Sequence, residues 1–268
     1  MKALVYHGPK TIALEDRPKP TIIEETDAIV RITITTICGT DLHILRGDAP
    51  TITDGRILGH EGVGIVEETG ASVTGFSKGD KVLISLISSC GRCSLCRKGV
   101  FSHCSYGGWL LGNSIDGTQA EYVRIPFADT GLYLLPPEVD DEAAVMLSCV
   151  LPTGLECGAL SGKVEPGETV AIVGAGPVGL AALLTVQLYS PAAIVLVDSD
   201  DNRLEVARSL GATQIINSLK GNTVERVMEM TNNAGVDVAI EAVGIPETFD
   251  ICQAIIAPGG HLRQIIIS

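Results

Sequence analysis

The spacing of apolar and polar residues changes partway along the chain. Before about Gly154, short apolar runs such as 2–7, 11–16 and 62–68 are bounded by Gly, Pro, Asp and Thr, and in 31–35 isoleucine alternates with arginine or threonine. A period of two is the mark of a strand with one solvated face. We therefore expect a mostly antiparallel, β-rich first domain over residues 1–154.

After residue 154 the pattern alternates between strands and helices. Strands are expected at 169–174, 193–198, 213–217, 236–244 and 261–267, and helices at 177–189, 201–211, 222–230 and 246–255. Gly211 suits the left-handed position that closes a helix. Such βαβ units form right-handed crossovers and a doubly wound parallel sheet. The predicted fold class is thus α/β, with this second domain over 155–268.

One apolar stretch could be mistaken for a membrane span. No charged residue occurs from Thr169 to Val197, and a hydropathy window would select this run. It is interrupted by three glycines and two prolines, which favours a strand, a tight turn, a helix, a turn and a second strand. Strands buried on both faces of a parallel sheet give such continuous apolar runs.

Charge and cysteine content exclude several classes of function. The formal net charge of the 268 residues is −13, and such a field repels phosphate backbones and anionic lipid surfaces. Nucleic acid and membranes are not expected partners. The eight cysteines could form a secreted disulfide framework, but the start of the sequence lacks the apolar region of a signal peptide. A cytoplasmic protein with free thiols is the interpretation we favour.

A glycine turn between the first strand and helix of the second domain points to a dinucleotide. Gly174, Gly176 and Gly179 stand in G-x-G-x-x-G register in the sequence GAGPVG, which includes Pro177 and Val178. Such a turn lets a diphosphate approach the helix N-terminus. A glycine turn with no ligand is the alternative.

The residue at the end of the next strand bears on which dinucleotide would bind. Asp198 follows Gly179 by nineteen residues, where a carboxylate accepts hydrogen bonds from an adenosine ribose and repels a 2′-phosphate. NAD is therefore favoured over NADP, although Arg203 could bind a 2′-phosphate.

A dense cysteine run suggests a structural metal. Its four thiols follow the spacing C-x2-C-x2-C-x7-C and belong to Cys90, Cys93, Cys96 and Cys104. Four sulfur ligands fill a tetrahedral zinc shell and leave no open position. The simpler alternative is a chance cluster of buried thiols, and His103 inside the loop is expected to be a surface bystander. We predict a structural-zinc lobe at about 88–106.

Other metal-binding residue types are scattered through the first domain. Cys38 opens the sequence CGTDLH, His60 and Glu61 occur in LGHEGVG, and Cys149 occurs in MLSCVLPTG. Each has an ordinary alternative as a core cysteine, a strand-end histidine or a solvated glutamate, and spacing alone does not join them. The remaining thiols, Cys157 and Cys252, are interpreted as small buried hydrophobic residues.

Together these motifs resemble the zinc-dependent medium-chain alcohol dehydrogenases from the N-terminus to about Gly260. GHEGVG is similar to that family's zinc-histidine signature, the four-cysteine run to its structural-zinc lobe, and GAGPVG with Asp198 to its coenzyme domain. The resemblance implies a GroES-like catalytic domain followed by a Rossmann domain. It also implies hydride transfer between NAD and a small primary or secondary alcohol, aldehyde or ketone, with two zinc ions per chain.

The resemblance also assigns roles to individual residues. It implies that Cys38, His60 and Cys149 hold a catalytic zinc, with Glu61 as a supporting carboxylate or occasional ligand. Relatives often carry Asp in place of Cys149. It further implies that the Thr40 hydroxyl takes the alcohol proton, that His43 passes it towards solvent, and that Trp109 lines the substrate pocket. A surface histidine with no relay role and a tryptophan of the core are the alternatives for the last two.

The end of the sequence departs from the family pattern. A coenzyme domain of this type has six strands, and five are predicted here, so we expect a Rossmann sheet without its last strand and a C-terminally truncated chain. A homo-oligomer, expected for the full-length family, is then doubtful. Ile265, Ile266 and Ile267 would lie at an unpaired sheet edge and favour association, with poor solubility. The alternative function is a non-catalytic fragment that binds zinc and NAD.

Overall fold

The computed structural model describes residues 1–265. These divide after Cys149 into two compact units, the first being Met1–Cys149 and the second beginning at Val150. The boundary lies five residues before the one expected from the sequence. No helix within the described residues is long and apolar enough to cross a membrane.

The first unit consists mainly of antiparallel strands. Their bounds are β1 Lys2–Tyr6, β2 Ile12–Asp16, β3 Ala28–Thr35, β4 Arg56–Ile57, β5 Gly62–Thr69, β6 Lys81–Ile84, β7 Ile87–Ser88, β8 Gly108–Trp109, β9 Tyr122–Ile125 and β10 Leu132–Leu134. They form a sheet of order β2-β1-β4, a sheet of order β10-β6-β5-β3-β9, and the pair β7-β8. The predicted alternation along β3 is visible as an exposed Arg31 beside a half-buried Ile32.

Short helices connect these strands. They are α1 Gly39–Arg46, α2 Ala128–Gly131 and α3 Asp141–Val145, with 3-10 turns at Cys96–Lys98 and Phe101–His103. The main core of the unit lies against the five-stranded sheet and includes Val30, Val66, Val82 and Ile84, all fully buried. This sheet supports the segments that carry the metal-binding residue types.

The second unit contains the expected doubly wound sheet. Its elements are α4 Val150–Thr153, a π-helical segment Gly154–Leu160, β11 Thr169–Val173, α5 Pro177–Val186, β12 Ala193–Asp198, α6 Asp201–Ser209, β13 Gln214–Asn217, α7 Thr223–Met230, β14 Val236–Glu241, α8 Pro246–Ile255 and β15 Ile256–Gln264. Two 3-10 turns lie at Gln187–Tyr189 and Ser218–Lys220. All strand pairs are parallel, in the order β13-β12-β11-β14-β15.

The uncharged run from Thr169 is explained by burial on both faces of this sheet. Alternate residues of β11 point to different cores: Val170 and Ile172 belong to one buried cluster, and Ala171 and Val173 belong to the other. Each face is covered by helices, so neither set of side chains needs to be polar. The predicted fold class, with five parallel strands in the described residues, is confirmed.

Three sequence-based interpretations need correction. The last strand begins at Ile256 rather than His261, because Val236 at the start of β14 already pairs with Ile256, before a register shift between Val236 and Val238. Cys157 is exposed rather than buried, since the buried residues of its π-helical segment are Gly154, Gly158 and Ala159. Cys252 is fully buried as expected. Ile265, expected at an unpaired sheet edge, is instead 6% exposed in the core, and its backbone N–H donates to the Glu241 carbonyl at 2.8 Å. The expectation for Ile266 and Ile267 lies outside the described residues.

A charged cluster ties the loop before β4 to the first sheet. His7 Nδ1 lies 2.6 Å from Asp54 Oδ1, and His7 Nε2 lies 2.6 Å from Glu15 Oε1. Arg17 Nη1 lies 3.6 Å from the other oxygen of Glu15. Hydrogen bonds to Glu15 first, and then to Asp54, raise the pKa of His7 above its ordinary value of 6.5.

This pKa shift predicts a pH dependence of stability. Because the folded-state pKa of His7 is raised, its contribution is complete below the unfolded value and is lost as the pH rises through the folded value. We expect the unfolding temperature to fall by more in the unchanged chain than in His7→Gln when the pH is raised from about 6 to about 9. Differential scanning calorimetry measures this, with Asp54→Asn expected to remove part of the difference. Parallel pH profiles for the unchanged chain and His7→Gln would contradict it.

Candidate functional site

Cys38, the first of the candidate metal ligands, lies between β3 and α1. Cys38 is the N-cap of α1, with extended backbone angles of φ −88° and ψ 161°. The Asp41 carboxylate accepts a hydrogen bond from the Cys38 backbone N–H at 2.8 Å. A carboxylate in the first turn of a helix also interacts favourably with the helix dipole. The position of the Cys38 thiol is thereby fixed by its own helix.

The residues before β5 supply an imidazole and a carboxylate. His60 and Glu61 are each only 3% exposed. The Glu61 backbone carbonyl accepts hydrogen bonds from the hydroxyls of Thr35, at 2.7 Å, and Thr118, at 2.9 Å. Gly59 has a φ of +93°, and a Cβ there would lie 2.7 Å from Thr118 Oγ1. Only glycine fits at this bend, which turns His60 inward.

Cys149, the last residue of the first unit, is fastened to the same strand. The Gly62 backbone N–H donates to the hydroxyl of the neighbouring Ser148 at 3.1 Å, although the two residues are far apart in the chain. Cys149 itself is 5% exposed. A contact between β5 and the chain after α3 thus sets the position of the Cys149 thiol.

These segments bring four metal-binding side chains together. One ligand atom from each of Cys38, His60, Glu61 and Cys149 lies within 4.8 Å of the other three. Thiolate, imidazole and carboxylate are the ligands that zinc binds, and a shell of four around one ion requires separations of this order. The donor set of these four residues therefore fits Zn²⁺.

The electrostatics of this cluster favour a thiolate. Hydrogen bonding to the Cys149 side chain, supported by His60, lowers the pKa of Cys38 against the effect of burial. Burial lowers the pKa of His60, but the hydrogen bond and charge of Cys38 outweigh it, and the net pKa is raised. Burial raises the pKa of Glu61. A site that stabilises a thiolate favours the binding of a cation.

The residues assigned to proton transfer lie on α1. The Thr40 hydroxyl is 3.7 Å from Cys38 Sγ, and Thr40 is buried. His43 is partly exposed, and its Nδ1 lies 2.9 Å from the Asp48 carboxylate. One residue thus lies at the cluster and the other at the surface of the same helix.

Trp109 lies beside the cluster. Its ring centroid is 6.2 Å from that of His60 in an edge arrangement of 77°, and its Nε1 donates to the Leu111 carbonyl at 3.0 Å. Aromatic pairs favour such edge geometry. The indole is half-buried and also packs against Tyr6, Ile44, Ile52 and Leu58. It is therefore a wall of the metal-binding region as well as part of a core.

The four-cysteine run forms a second cluster. The sulfur atoms of Cys90, Cys93, Cys96 and Cys104 all lie within 4.8 Å of one another. Backbone N–H groups point at these sulfurs, for example from Cys90 to Cys104 at 3.2 Å and from Cys93 to Cys90 at 3.4 Å. Backbone hydrogen bonds also lower the pKa values of Cys90 and Cys93. Four sulfurs fit a closed zinc shell, and His103 is exposed outside it.

The glycine turn of the second unit has the shape that a diphosphate needs. Gly174 has a φ of +111°, and a Cβ on Gly179 would overlap the Gly174 carbonyl oxygen. A Cβ on Gly176 would meet nothing within 4 Å, so open space lies above it. Pro177 is the first residue of α5, and Val178 packs into the core. The turn therefore fits a dinucleotide at the N-terminus of α5.

Asp198 is joined to this turn. Its Oδ2 accepts from the Ala175 backbone N–H at 2.6 Å, and its Oδ1 accepts from that of Asp200 at 2.9 Å. Arg203 is exposed on α6, whose N-cap is Asp200. The carboxylate lies at the carboxyl end of β12, where ligands of doubly wound sheets bind.

Sequence reasoning missed several residues that organise the metal-binding region. Thr36 donates a short hydrogen bond to the Glu61 carboxylate, Thr118 holds the Glu61 backbone, and Ser148 binds Gly62. Asp41 is 2% exposed, and one of its carboxylate oxygens has no hydrogen-bond partner. The only signal for these residues in the sequence is that Asp41 follows Cys38 by three positions, as an N-terminal helix residue would.

Comparison with known proteins decides the family. A model of the alcohol dehydrogenase GroES-like domain matches residues 24–137, and a model of the zinc-binding dehydrogenase domain matches residues 177–265. The chain belongs to the zinc-dependent alcohol dehydrogenase family. An alcohol dehydrogenase of Cupriavidus necator is 39% identical over 286 residues, an alignment that covers 99% of this chain and 76% of the relative.

Solved structures of the family are similar throughout. The apo form of zinc dependent alcohol dehydrogenase 2 from Streptococcus pneumonia has a TM-score of 0.95 and 56% identity, and the match covers 100% of this chain and 76% of that one. An alcohol dehydrogenase from Thermus sp. ATN1 has a TM-score of 0.91 and 36% identity, covering 98% of this chain and 77% of that one. The GroES-like and Rossmann folds of the two units are therefore shown.

Proposed function

We propose that this zinc-dependent alcohol dehydrogenase transfers hydride between NAD and a small primary or secondary alcohol, or the matching aldehyde or ketone. The observation that carries the proposal is the convergence of Cys38, His60 and Cys149 within 4.8 Å, beside Glu61. These residues come from three separate segments, and a protein that needed only a stable core would not bury two thiols, an imidazole and a carboxylate together.

Each chemical part of the reaction has residues that fit it. Zn²⁺, when bound, supplies Lewis acidity towards an alcohol or carbonyl oxygen, and NAD supplies the hydride acceptor. Cys38, His60 and Cys149 would hold the metal and leave a fourth position for substrate, with Glu61 as a supporting carboxylate. We assign the four-cysteine cluster to a structural zinc, which makes two zinc ions per chain.

Proton transfer falls to α1 in this proposal. The Thr40 hydroxyl, next to Cys38, would take the proton of a substrate alcohol. His43 is partly exposed at the surface of the same helix, with its Nδ1 at 2.9 Å from Asp48, and would pass the proton to solvent. Trp109, at the edge of the His60 ring, would limit the size of the substrate.

The glycine turn and Asp198 support NAD as the coenzyme. Gly174, Gly176 and Gly179 provide the approach to a diphosphate, and the buried Asp198 carboxylate would face the ribose and disfavour a 2′-phosphate. Arg203 is assigned to the same coenzyme. A reducing compartment such as the cytoplasm suits a chain whose cysteines form no disulfide within residues 1–265.

One experiment tests this function. Purified chain is assayed for zinc content by mass spectrometry of the metal, and for NADH absorbance when NAD and an alcohol are added. Two zinc ions per chain together with turnover support the proposal. Zinc without turnover for any of a series of small alcohols would instead support a non-catalytic zinc-binding protein.

Replacing Asp198 tests the coenzyme preference. In Asp198→Gly, loss of the carboxylate removes both the repulsion of a 2′-phosphate and the bond to Ala175. We expect the ratio of kcat/KM for NAD to that for NADP to fall by about tenfold or more. Steady-state kinetics with each coenzyme measure the ratio, and Asp201→Asn on the exposed start of α6 serves as the control. An unchanged ratio in Asp198→Gly would remove this residue from its role.

A further inference from the structure

The carboxylate of Glu241, the last residue of β14, is completely buried. Its exposure is 0%. One oxygen, Oε1, accepts three hydrogen bonds: from the backbone N–H groups of Val243 at 2.8 Å and Gly244 at 2.9 Å, and from the Thr248 hydroxyl at 2.7 Å. A single side-chain atom thus fixes the turn that follows β14 and the first turn of α8.

This burial carries an unusual electrostatic cost. Within residues 1–265, Glu241 forms no ion pair, and its second oxygen, Oε2, has no hydrogen-bond partner. The comparably buried Asp27, which is 1% exposed, has Arg124 at 3.0 Å. A buried carboxylate without a cation lowers stability, and an apolar residue of similar volume would avoid that loss. The feature therefore points to a requirement other than stability.

The turn that Glu241 holds lies directly on the dinucleotide turn. A Cβ placed on Gly174 would lie 2.7 Å from Val243 Cγ2 and 3.0 Å from the Ala242 carbonyl oxygen. The Ala242 backbone N–H donates to the Val173 carbonyl at 2.8 Å, one residue before Gly174. These contacts pack the two turns directly against each other. A displacement of residues 242–244 would therefore displace the glycine turn.

We propose that Glu241 is a positioning residue for the coenzyme: by fixing residues 242–244, it holds Gly174 in the geometry that the diphosphate requires. The inference rests on the proposed binding of NAD and adds a residue outside the glycine motif. Hydrogen bonds to a charged acceptor are shorter and stronger than neutral ones. An ionised carboxylate that accepts two adjacent N–H groups is thus a stiffer anchor than a serine or asparagine at this position.

The test measures binding and local motion without turnover. NADH affinity is determined by fluorescence titration for the unchanged chain, Glu241→Ala and Glu241→Gln. We expect the Kd to rise about tenfold or more in Glu241→Ala, and by a smaller factor in Glu241→Gln, whose carbonyl accepts the same bonds without the charge. Hydrogen exchange followed by mass spectrometry should show faster exchange at 242–244 and 174–176 in the same order.

Control variants separate positioning from loss of stability. Asp27→Asn removes the charge of a comparably buried carboxylate in the first unit, so it should lower the unfolding temperature and leave the Kd for NADH unchanged. Thr248→Val removes one of the three bonds and should raise the Kd less than Glu241→Ala. If Glu241→Ala does not fold, Glu241→Gln and Thr248→Val still test the proposal, because both should have a higher Kd for NADH than the unchanged chain.

The outcomes are distinguishable from those of the coenzyme proposal. NADH binding by the unchanged chain with the same Kd in the Glu241 variants would overturn the positioning role alone. A rise in Kd for Asp27→Asn as large as that for Glu241→Ala would overturn it as well, because the effect would then follow general stability. Failure of the unchanged chain to bind NADH would overturn both proposals.

Discussion

Chains carrying Cys149→Ala are expected to contain one zinc ion fewer and to oxidise alcohol at least about a thousandfold more slowly than the unchanged chain. The Cys149 thiol belongs to the four-residue cluster and favours the thiolate of Cys38 through a hydrogen bond. Its removal leaves an incomplete set of metal-binding side chains and removes the hydrogen bond that favours the Cys38 thiolate. Metal analysis and NADH absorbance measure the two losses.

The fold should survive this change, which makes the result specific. Ser148, which is unchanged in this variant, accepts the hydrogen bond from Gly62 that fastens this segment to β5. The circular dichroism spectrum is therefore expected to be unchanged. Cys157→Ser, which alters an exposed thiol outside both clusters, is the matched control and should keep full zinc content and turnover. Normal turnover in Cys149→Ala would exclude Cys149 as a ligand.

Cys93→Ser is expected to act on stability instead. It breaks the closed four-sulfur cluster, and metal-binding free energy at such a site contributes directly to folding. We expect the unfolding temperature to fall by about ten degrees or more, with the loss of one zinc ion and increased aggregation. Chain that remains folded should keep the metal held by Cys38, His60 and Cys149, and so should keep measurable turnover. Scanning calorimetry and metal analysis test this.

A neighbouring position provides the comparison for Cys93. Ser94 is exposed in the same loop and does not belong to the cluster. Ser94→Ala should therefore change neither the unfolding temperature nor the zinc content. If Cys93→Ser and Cys149→Ala reduced turnover and stability to the same extent, the division between a structural and a catalytic metal would be wrong.

The sequence predicted the second unit well because its signals are local. β12 lies at Ala193–Asp198 as expected, since a short apolar run that is rich in β-branched residues and bounded by turns favours a strand. The start of β15 was missed, because Pro258, Gly259 and Gly260 resemble a turn. Their inclusion depends on pairing with β14, which is a tertiary effect. Cys157 was misplaced because a π-helical segment changes which residues face the core.

The metal-binding region was only partly accessible to sequence reasoning. Cys38, His60 and Cys149 were candidates from their residue types and from the family resemblance, but their convergence depends on β3, β5 and the chain after α3 coming together. Thr118 reaches the Glu61 backbone across fifty-seven positions. Hydroxyls of this kind have no sequence signature, because their role is set by a partner that is distant in the chain.

The strand order of the second unit has a consequence for synthesis on the ribosome. β11 lies at the centre of its sheet between β12 and β14, but roughly sixty residues separate β11 from β14 along the chain. Until β14 has emerged, an uncharged central strand exposes one open side to other nascent chains. Production of this protein should therefore depend on chaperones that shield apolar segments, and slower translation through residues 174–235 should lower its yield.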